Sequence, residues 1–327
     1  MQQQSDTANE LYEQWMLNQM SQQRQGEEFD LTELWRVIWS GKWLIVVVTI
    51  LFSVASIFYA LSLPNIYKSE ALLAPAEQEN NGLGGMASQL GSLASFAGVN
   101  LGGGGGGIDK TTLALEIMKS RAFVSKFIEK HQLLVPLMAS KGWNRDRNEL
   151  IFNDKLYDKT KNKWIREVDA PFVPRPSAQE AYKEFDKVVS AIPDKASSMI
   201  TISVEHYSPE VAKQWVDWLI DAINLEMKTR DLTEAQKSIS YLESQLDKTK
   251  VYKLQEVLYQ LIEEQTKTIM FANVREQYAF KTIDPALAPE LKDSPKRALI
   301  CVLGLFLGGV FGIMIVLFRY FVKSKRQ

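Results

Sequence analysis

Two long apolar runs near the ends of the chain, and one long stretch of three-and-four spacing between them, carry most of the hydrophobic pattern. Residues 298–318 (ALICVLGLFLGGVFGIMIVLF) hold about twenty positions without a charge, enough at ~1.5 Å per residue to cross a bilayer core of ~30 Å. Residues 44–63 form a matching run. Together they predict two transmembrane helices with residues 64–297 as one loop on one side. Residues 1–43 and 319–327 then lie on the other side. Polar, Gln-rich sequence precedes the first run, which makes it an anchor rather than a cleaved signal. Gly304, Gly308 and Gly312 fall four apart and line one face of the second helix. Such a stripe allows close backbone approach to another helix; the bland alternative is that glycine is simply common in membrane helices.

Within the loop, residues 66–73 (IYKSEALL), 198–205 (SMITISVE) and 279–286 (AFKTIDPA) read as strands. Residues 110–131 predict one amphipathic helix through Leu113, Ile117, Phe123, Phe127 and Ile128. Residues 132–176 are mixed, with Trp143 and Trp164 as packing residues, and residues 177–188 predict a helix opening at Ser177. Ser208 caps a further helix that has Pro209 at its first position. From there to Tyr278 no Gly or Pro appears.

That last stretch decides the architecture. As one straight helix, residues 209–278 would span on the order of 100 Å. Residues 279–297, which must return to the membrane, reach at most ~65 Å fully extended. A helical hairpin closes where a straight rod does not. Leu232, Ala235, Ile239, Leu242 and Leu246 step by three and four, and Val251, Leu254, Leu258 and Leu261 resume in a shifted register. Asp247–Lys250 between them is the candidate turn; a continuous helix with a stutter is the alternative. Leu232, Ile239, Leu242, Leu246, Leu254, Leu258 and Leu261 are the candidate packing residues, against the other arm or against neighbouring copies. Pro285, Pro289 and Pro295 then punctuate a non-helical lead-in to the second span. The expected fold class is therefore an α+β membrane protein. Two transmembrane helices flank an α/β base (residues 64–208 and 279–297) that carries a long protruding hairpin (residues 209–278).

The sequence flanking the first span adds orientation. Asp30 and Glu33 have capping-box spacing and open a helix carrying Trp35, Trp39 and Trp43, four apart on one face. Indoles beside a span suit the headgroup level; the alternative is the core of a small cytoplasmic helix. Arg36 and Lys42 precede the first span, and Arg319, Lys323, Lys325 and Arg326 follow the second. This bias places both termini in the cytoplasm and the loop outside.

Composition excludes more than it suggests. A net charge of −1 over 327 residues offers no basic excess for nucleic acid. The single cysteine, Cys301, sits in the second span, so the loop has no disulfide, and His131 and His206 are too few for an evident metal site. Acid pairs such as Asp217/Asp221 belong to a solvated helix face. No catalytic set and no cofactor motif emerges. The segment GGGGIDKTT only faintly resembles a P-loop, because Ile108 and Asp109 interrupt the Gly-Lys-Thr contiguity the motif needs. The surrounding small-residue tract, with its glycine run at 102–107, reads as a flexible loop, with a short helix over 86–97 at most.

Four segments carry a resemblance: DLTELWRVIWSGKWLI into the first span, NIYKSEALLAP after it, EIMKSRAFVSKFIEKH, and AFKTIDPALAPELKDSPKRALI into the second span. Together they resemble the Wzz-type O-antigen chain-length determinants, polysaccharide co-polymerases of the Gram-negative inner membrane. The resemblance implies a periplasmic base domain, a helical projection and a homo-oligomeric ring. It also implies a non-enzymatic role beside an O-antigen polymerase, with the lipid-linked glycan as a further partner. Some relatives carry a cytoplasmic tyrosine kinase with Walker motifs. No such motif is present up to Gln327, so a kinase would have to be a separate partner, and the competing expectation is an export or kinase-adaptor subunit for capsule or exopolysaccharide.

Overall fold

The computed structural model describes residues 15–16, 31–76 and 110–324. The expectations for the Asp30–Glu33 box, the helix over 86–97 and the glycine run 102–107 lie outside the described side chains. The chain divides into two units, residues 1–63 with 296–327, and residues 64–295.

In the first unit, α1 (Leu31–Ser40) and α2 (Lys42–Ser62) precede the loop, and α9 (Arg297–Ser324) closes the described chain. Lys42–Ser62 and Arg297–Val322 are long and apolar enough to cross a membrane, with mean hydropathies of 2.6 and 2.8. The tryptophan helix expected in one piece is two: Gly41 separates α1 from α2, leaving Trp35 and Trp39 on one and Trp43 on the other. Gly41 is also a point of close approach to α9: a Cβ there would lie 2.5 Å from Val316 Cγ2. Helix α9 runs on through Arg319 to Ser324, so the residues after the apolar run continue its last turns.

The second unit is built on an antiparallel four-stranded sheet. Its strands are β1 (Tyr67–Pro75), β6 (Val189–Pro193), β7 (Ile200–His206) and β8 (Phe280–Asp284), in the order β6-β7-β1-β8. The most buried strand, β7, carries Ile200, Ile202 and Val204 at 0% exposure. Against this sheet pack α3 (Lys110–Lys119), α4 (Arg121–Lys130), α6 (Ala178–Val188) and α7 (Pro209–Leu246), through a core that includes Phe123, Phe127, Phe185, Trp215, Leu219 and Ile223. The single helix expected over 110–131 is broken because Ser120 turns extended (φ −68°, ψ 144°) and accepts from Phe123 N, capping a new helix. Ser177 forms a full capping box with Glu180, and Ser208 caps α7 ahead of Pro209. Between α4 and α6 lie a short helix, α5 (Leu134–Ala139), and two small hairpins, β2 (Ser140–Asn144) with β3 (Glu149–Phe152) and β4 (Tyr157–Asp158) with β5 (Lys163–Trp164).

Helix α7 has two environments. Up to Met227 it buries Trp215, Val216, Leu219, Ile220, Ile223 and Met227; beyond that point its one buried residue is Ala235. The first five turns therefore belong to the base rather than to a projection starting at residue 209. Helix α8 (Tyr252–Val274) then packs back against α7, and the connection over residues 247–251 is the turn expected at Asp247–Lys250. The chain is a hairpin there, and the continuous-helix alternative falls.

Candidate functional site

The residues singled out by sequence fall on two helical pairs. In the membrane unit, the glycine stripe faces the chain's own first span. A Cβ on Gly304 would lie 2.4 Å from Ser56 Cβ, one on Gly308 2.9 Å from Thr49 Cα, and one on Gly312 3.0 Å from Ile45 Cα. As numbers rise on α9 they fall on α2, so the pair is antiparallel with backbones in close approach. The contact expected with an oligomer partner or a polymerase is thus occupied within the chain, where any side chain at these positions would push α2 away. Ile45, Thr49, Phe52 and Ser56, spaced by three and four along α2, are its receiving face. Gly309, one residue off the stripe, has nothing within 4 Å of its Cβ position. The Phe52 and Phe311 rings stack at 5.5 Å beside it. At the base of the pair, Arg297 Nε donates to Ala60 O at 3.0 Å and its Nη2 to Leu63 O at 3.2 Å, satisfying carbonyls that end α2.

Trp35 and Trp39 stack with centroids 6.0 Å apart, and Lys42 Nζ lies 5.3 Å over the Trp39 ring. Trp35, Trp39 and Trp43 are all exposed. Among the described residues, no core covers these three side chains.

In the second unit, the hairpin α7–α8 has Leu232, Ile239, Leu242, Leu246 and Leu261 half-buried and Leu258 buried, whereas Leu254 is exposed. Ala235 and Ala272, at 1% and 0% exposure, are the small residues buried in the two arms. Gln255 Nε2 donates to Thr249 O at 2.8 Å, tying α8 to the turn without glycine or proline. The return strand is held by a residue the periodicity does not mark. Buried Asn224 accepts from Ala279 N (2.7 Å) and Phe280 N (2.9 Å) and donates to Phe280 O (3.1 Å). One turn pair further along, Asp231 accepts from Tyr278 Oη (2.6 Å) and Lys110 Nζ (2.7 Å). Burial and the Asp231 carboxylate hold the Tyr278 phenol in its protonated form by raising its pKa. Of the prolines, Pro285 is exposed and Pro289 and Pro295 are half-buried. Their segment runs back along β1: Ser69 Oγ donates to Leu287 O, Asp293 N to Ile66 O, and Ile66 N to Ser294 O.

The two histidines do structural work at separate places. His206 sits at the β7–α7 junction, with Nδ1 accepting from Ser208 N at 3.2 Å and Nε2 facing Pro136 O at 3.3 Å. That pairing requires the neutral tautomer with the proton on Nε2, and burial pushes its pKa down to about 4. His131 stacks on Trp218 at 4.3 Å and is also lowered, by burial and by Lys130. Among the described residues, no group of His, Cys, Asp and Glu side chains converges as a metal site. The arrangement holds helices and the return strand together.

Residues 27–131 match the family model described as "Chain length determinant protein", Wzz. The match spans about a third of the chain and is a likeness to that family over those residues. Residues 245–321 match a second model, GNVR, described as "G-rich domain on putative tyrosine kinase". Thus α1, α2, β1, α3 and α4 carry the Wzz match, while the hairpin's second arm, β8 and most of α9 carry the other. No curated protein matches the sequence. Among solved structures, a full-length bacterial polysaccharide co-polymerase aligns at 15% identity and TM-score 0.36, covering 91% of this chain and 99% of that one. A fragment of WzzB, a polysaccharide co-polymerase from Salmonella Typhimurium, aligns at 13% identity and TM-score 0.28, covering 70% of this chain and all of that one. The chain itself has two long apolar helices and an α+β unit bearing a helical hairpin.

Proposed function

We propose that this protein is a Wzz-type, non-enzymatic, homo-oligomeric scaffold of the bacterial inner membrane that sets O-antigen chain length beside the O-antigen polymerase. Both termini lie in the cytoplasm and residues 64–295 in the periplasm. The observation that carries the reading is the family match over residues 27–131, which includes the first apolar helix and the first strand of the sheet. Two supports stand beside it. The candidate surfaces are packing faces of helices, and the exposed apolar side chains of α8 (Tyr252, Tyr259, Met270, Val274) lie in a water-facing unit where copies of the chain would cover them. Deleting the gene and resolving lipopolysaccharide on a gel tests the reading. A loss of the modal O-chain length is expected, restored by the gene in trans; an unchanged distribution overturns it.

A second reading has its own observation. The GNVR match over residues 245–321 favours a capsule or exopolysaccharide subunit working with a separate tyrosine kinase. Co-purification of such a kinase, with capsule lost and O-antigen length unchanged in the deletion strain, would select it.

A further inference from the structure

A wide concavity of the second unit lies between α4, the β4–β5 turn and residues 174–181, with a volume of about 1240 Å³. This exceeds the roughly 300–1,000 Å³ of ordinary small-molecule sites, so it suits an extended ligand. We propose that this groove is a saccharide-binding site for a short segment of the glycan whose length the family governs, with a preference for acidic sugars. The proposal rests on the proposed function for the identity of the glycan.

Three features carry it. The first is an aromatic wall. Phe152, Tyr157 and Trp164 form an edge-to-face ladder, with centroids 5.9 and 5.2 Å apart, and the half-buried Trp164 lines the groove. An indole face is the surface on which the C–H face of a pyranose ring stacks, and the ladder fixes its orientation. The second is a polar rim of Gln132, Thr160, Asn162, Lys163 and Arg175, a mix of amide, hydroxyl and cationic groups suited to hydroxyls and carboxylates. The charged lining is Lys159, Lys163 and Arg175 against Glu129 alone. Lys159 also lies 3.6 Å from Glu149, whereas Lys163 and Arg175 have no ion pair among the described residues. Their unspent charge is the ground for the acidic preference.

The third feature is that both walls are held before any ligand arrives. Arg166 donates to Pro174 O (2.7 Å), to Val173 O (2.9 Å) and to both carboxylate oxygens of Glu180 (2.6 and 2.9 Å). It thereby fixes the 173–176 wall to the first turn of α6. Opposite, Tyr157 Oη donates to Asn162 Oδ1 and Ile165 N to Leu156 O (2.9 Å), which shapes the β4–β5 turn. Asn162 and Gln132, on facing rims, both adopt positive φ (53° and 54°). A preorganised groove loses less entropy on binding.

The test uses full-length protein in nanodiscs and isothermal titration with two probes, an oligogalacturonate hexamer and maltohexaose. Binding of the acidic hexamer about fivefold tighter than maltohexaose is expected, with Trp164→Ala weakening both about tenfold and Trp164→Phe retaining affinity. Lys163→Ala with Arg175→Ala should abolish the difference between the probes. Absence of binding, or wild-type binding by Trp164→Ala, overturns the proposal. Should Trp164→Ala not assemble, the double cation variant decides, and unchanged preference for the acidic hexamer overturns it. The gel readout in the same strains separates the two levels: a deletion strain with unaltered glycan sinks the proposed function, whereas a deletion phenotype without oligosaccharide binding sinks the groove alone.

Discussion

The protein contains two antiparallel helical pairs, α2–α9 and α7–α8, that solve the same problem in different solvents. In α2–α9 the apolar side chains face outward, and the contact is made by glycines against Thr49, Ser56 and Ile45. Lipid is as apolar as leucine, so burying leucine between spans gains nothing; close backbone packing does. In α7–α8 the contact is carried by leucines and two alanines, because water rewards burial. Each pair is also pinned at its base by one side chain bonded to backbone: Arg297 to the carbonyls ending α2, Asn224 to the strand following α8. Packing chemistry follows the solvent, while the pin at the base is a polar side chain in both.

The comparison breaks first at the pins. Asn224→Ala leaves two buried N–H groups and a carbonyl unpaired, at roughly 1–3 kcal/mol each, so a loss of about 4 kcal/mol is expected. Hydrogen exchange should show residues 279–284 opening while α2–α9 stays protected. Gly308→Leu comes next. Overpacking against Thr49 and Phe52 should cost about 3 kcal/mol and lower the protein's level in membranes, whereas Gly309→Leu should change little. Equal effects from the two would remove the glycine stripe from the account.

Acid distinguishes the pairs through His206, which lies in the water-facing unit alone. Its pKa is about 4 in the fold against an ordinary 6.5, so the unfolded chain binds its proton first as pH falls. Stability is then lost between about pH 6.5 and 4, by on the order of 3 kcal/mol, and the loss stops below that window. Thermal scans at several pH values should show this slope, and His206→Gln should flatten it. The smallest expected effect on stability, under about 0.5 kcal/mol, belongs to Tyr252→Ser with Val274→Ser, since both side chains are exposed. Here the reading is assembly size by light scattering: an unaltered oligomer would show that α8's outer face is not its interface.

Much of this was legible before any coordinates, wherever a segment had to satisfy one strong constraint. The spans, the strands at β1, β7 and β8, the caps at Ser177 and Ser208, and the turn near residue 249 each followed from length, alternation or a cap residue. What stayed hidden depends on tertiary partners. Ser120 breaks a helix with no glycine or proline to announce it. Strand β6 follows α6 directly, with no glycine or proline to mark where helix gives way to strand; Pro193 marks only its end. Asn224 looks like any polar residue on a long helix, and only the returning strand reveals its role. The glycine stripe was visible as a contact face, but sequence could not say that its partner is the chain's own first span. The groove wall is likewise scattered over residues 125–181, and Arg166, which secures it, has no motif.

The paired ends of the water-facing unit have one more consequence. Ile66 and Ser294 bridge each other, so the two points at which the chain leaves this unit lie side by side. A domain with adjacent termini is a graftable cassette: it can be excised, joined end to end by a short linker and reopened elsewhere without stretching its backbone. Circular permutants of residues 64–295 opened in the 247–251 turn should retain all four strands of the sheet. Evolution could likewise move such a cassette between pairs of membrane anchors without redesigning its interior.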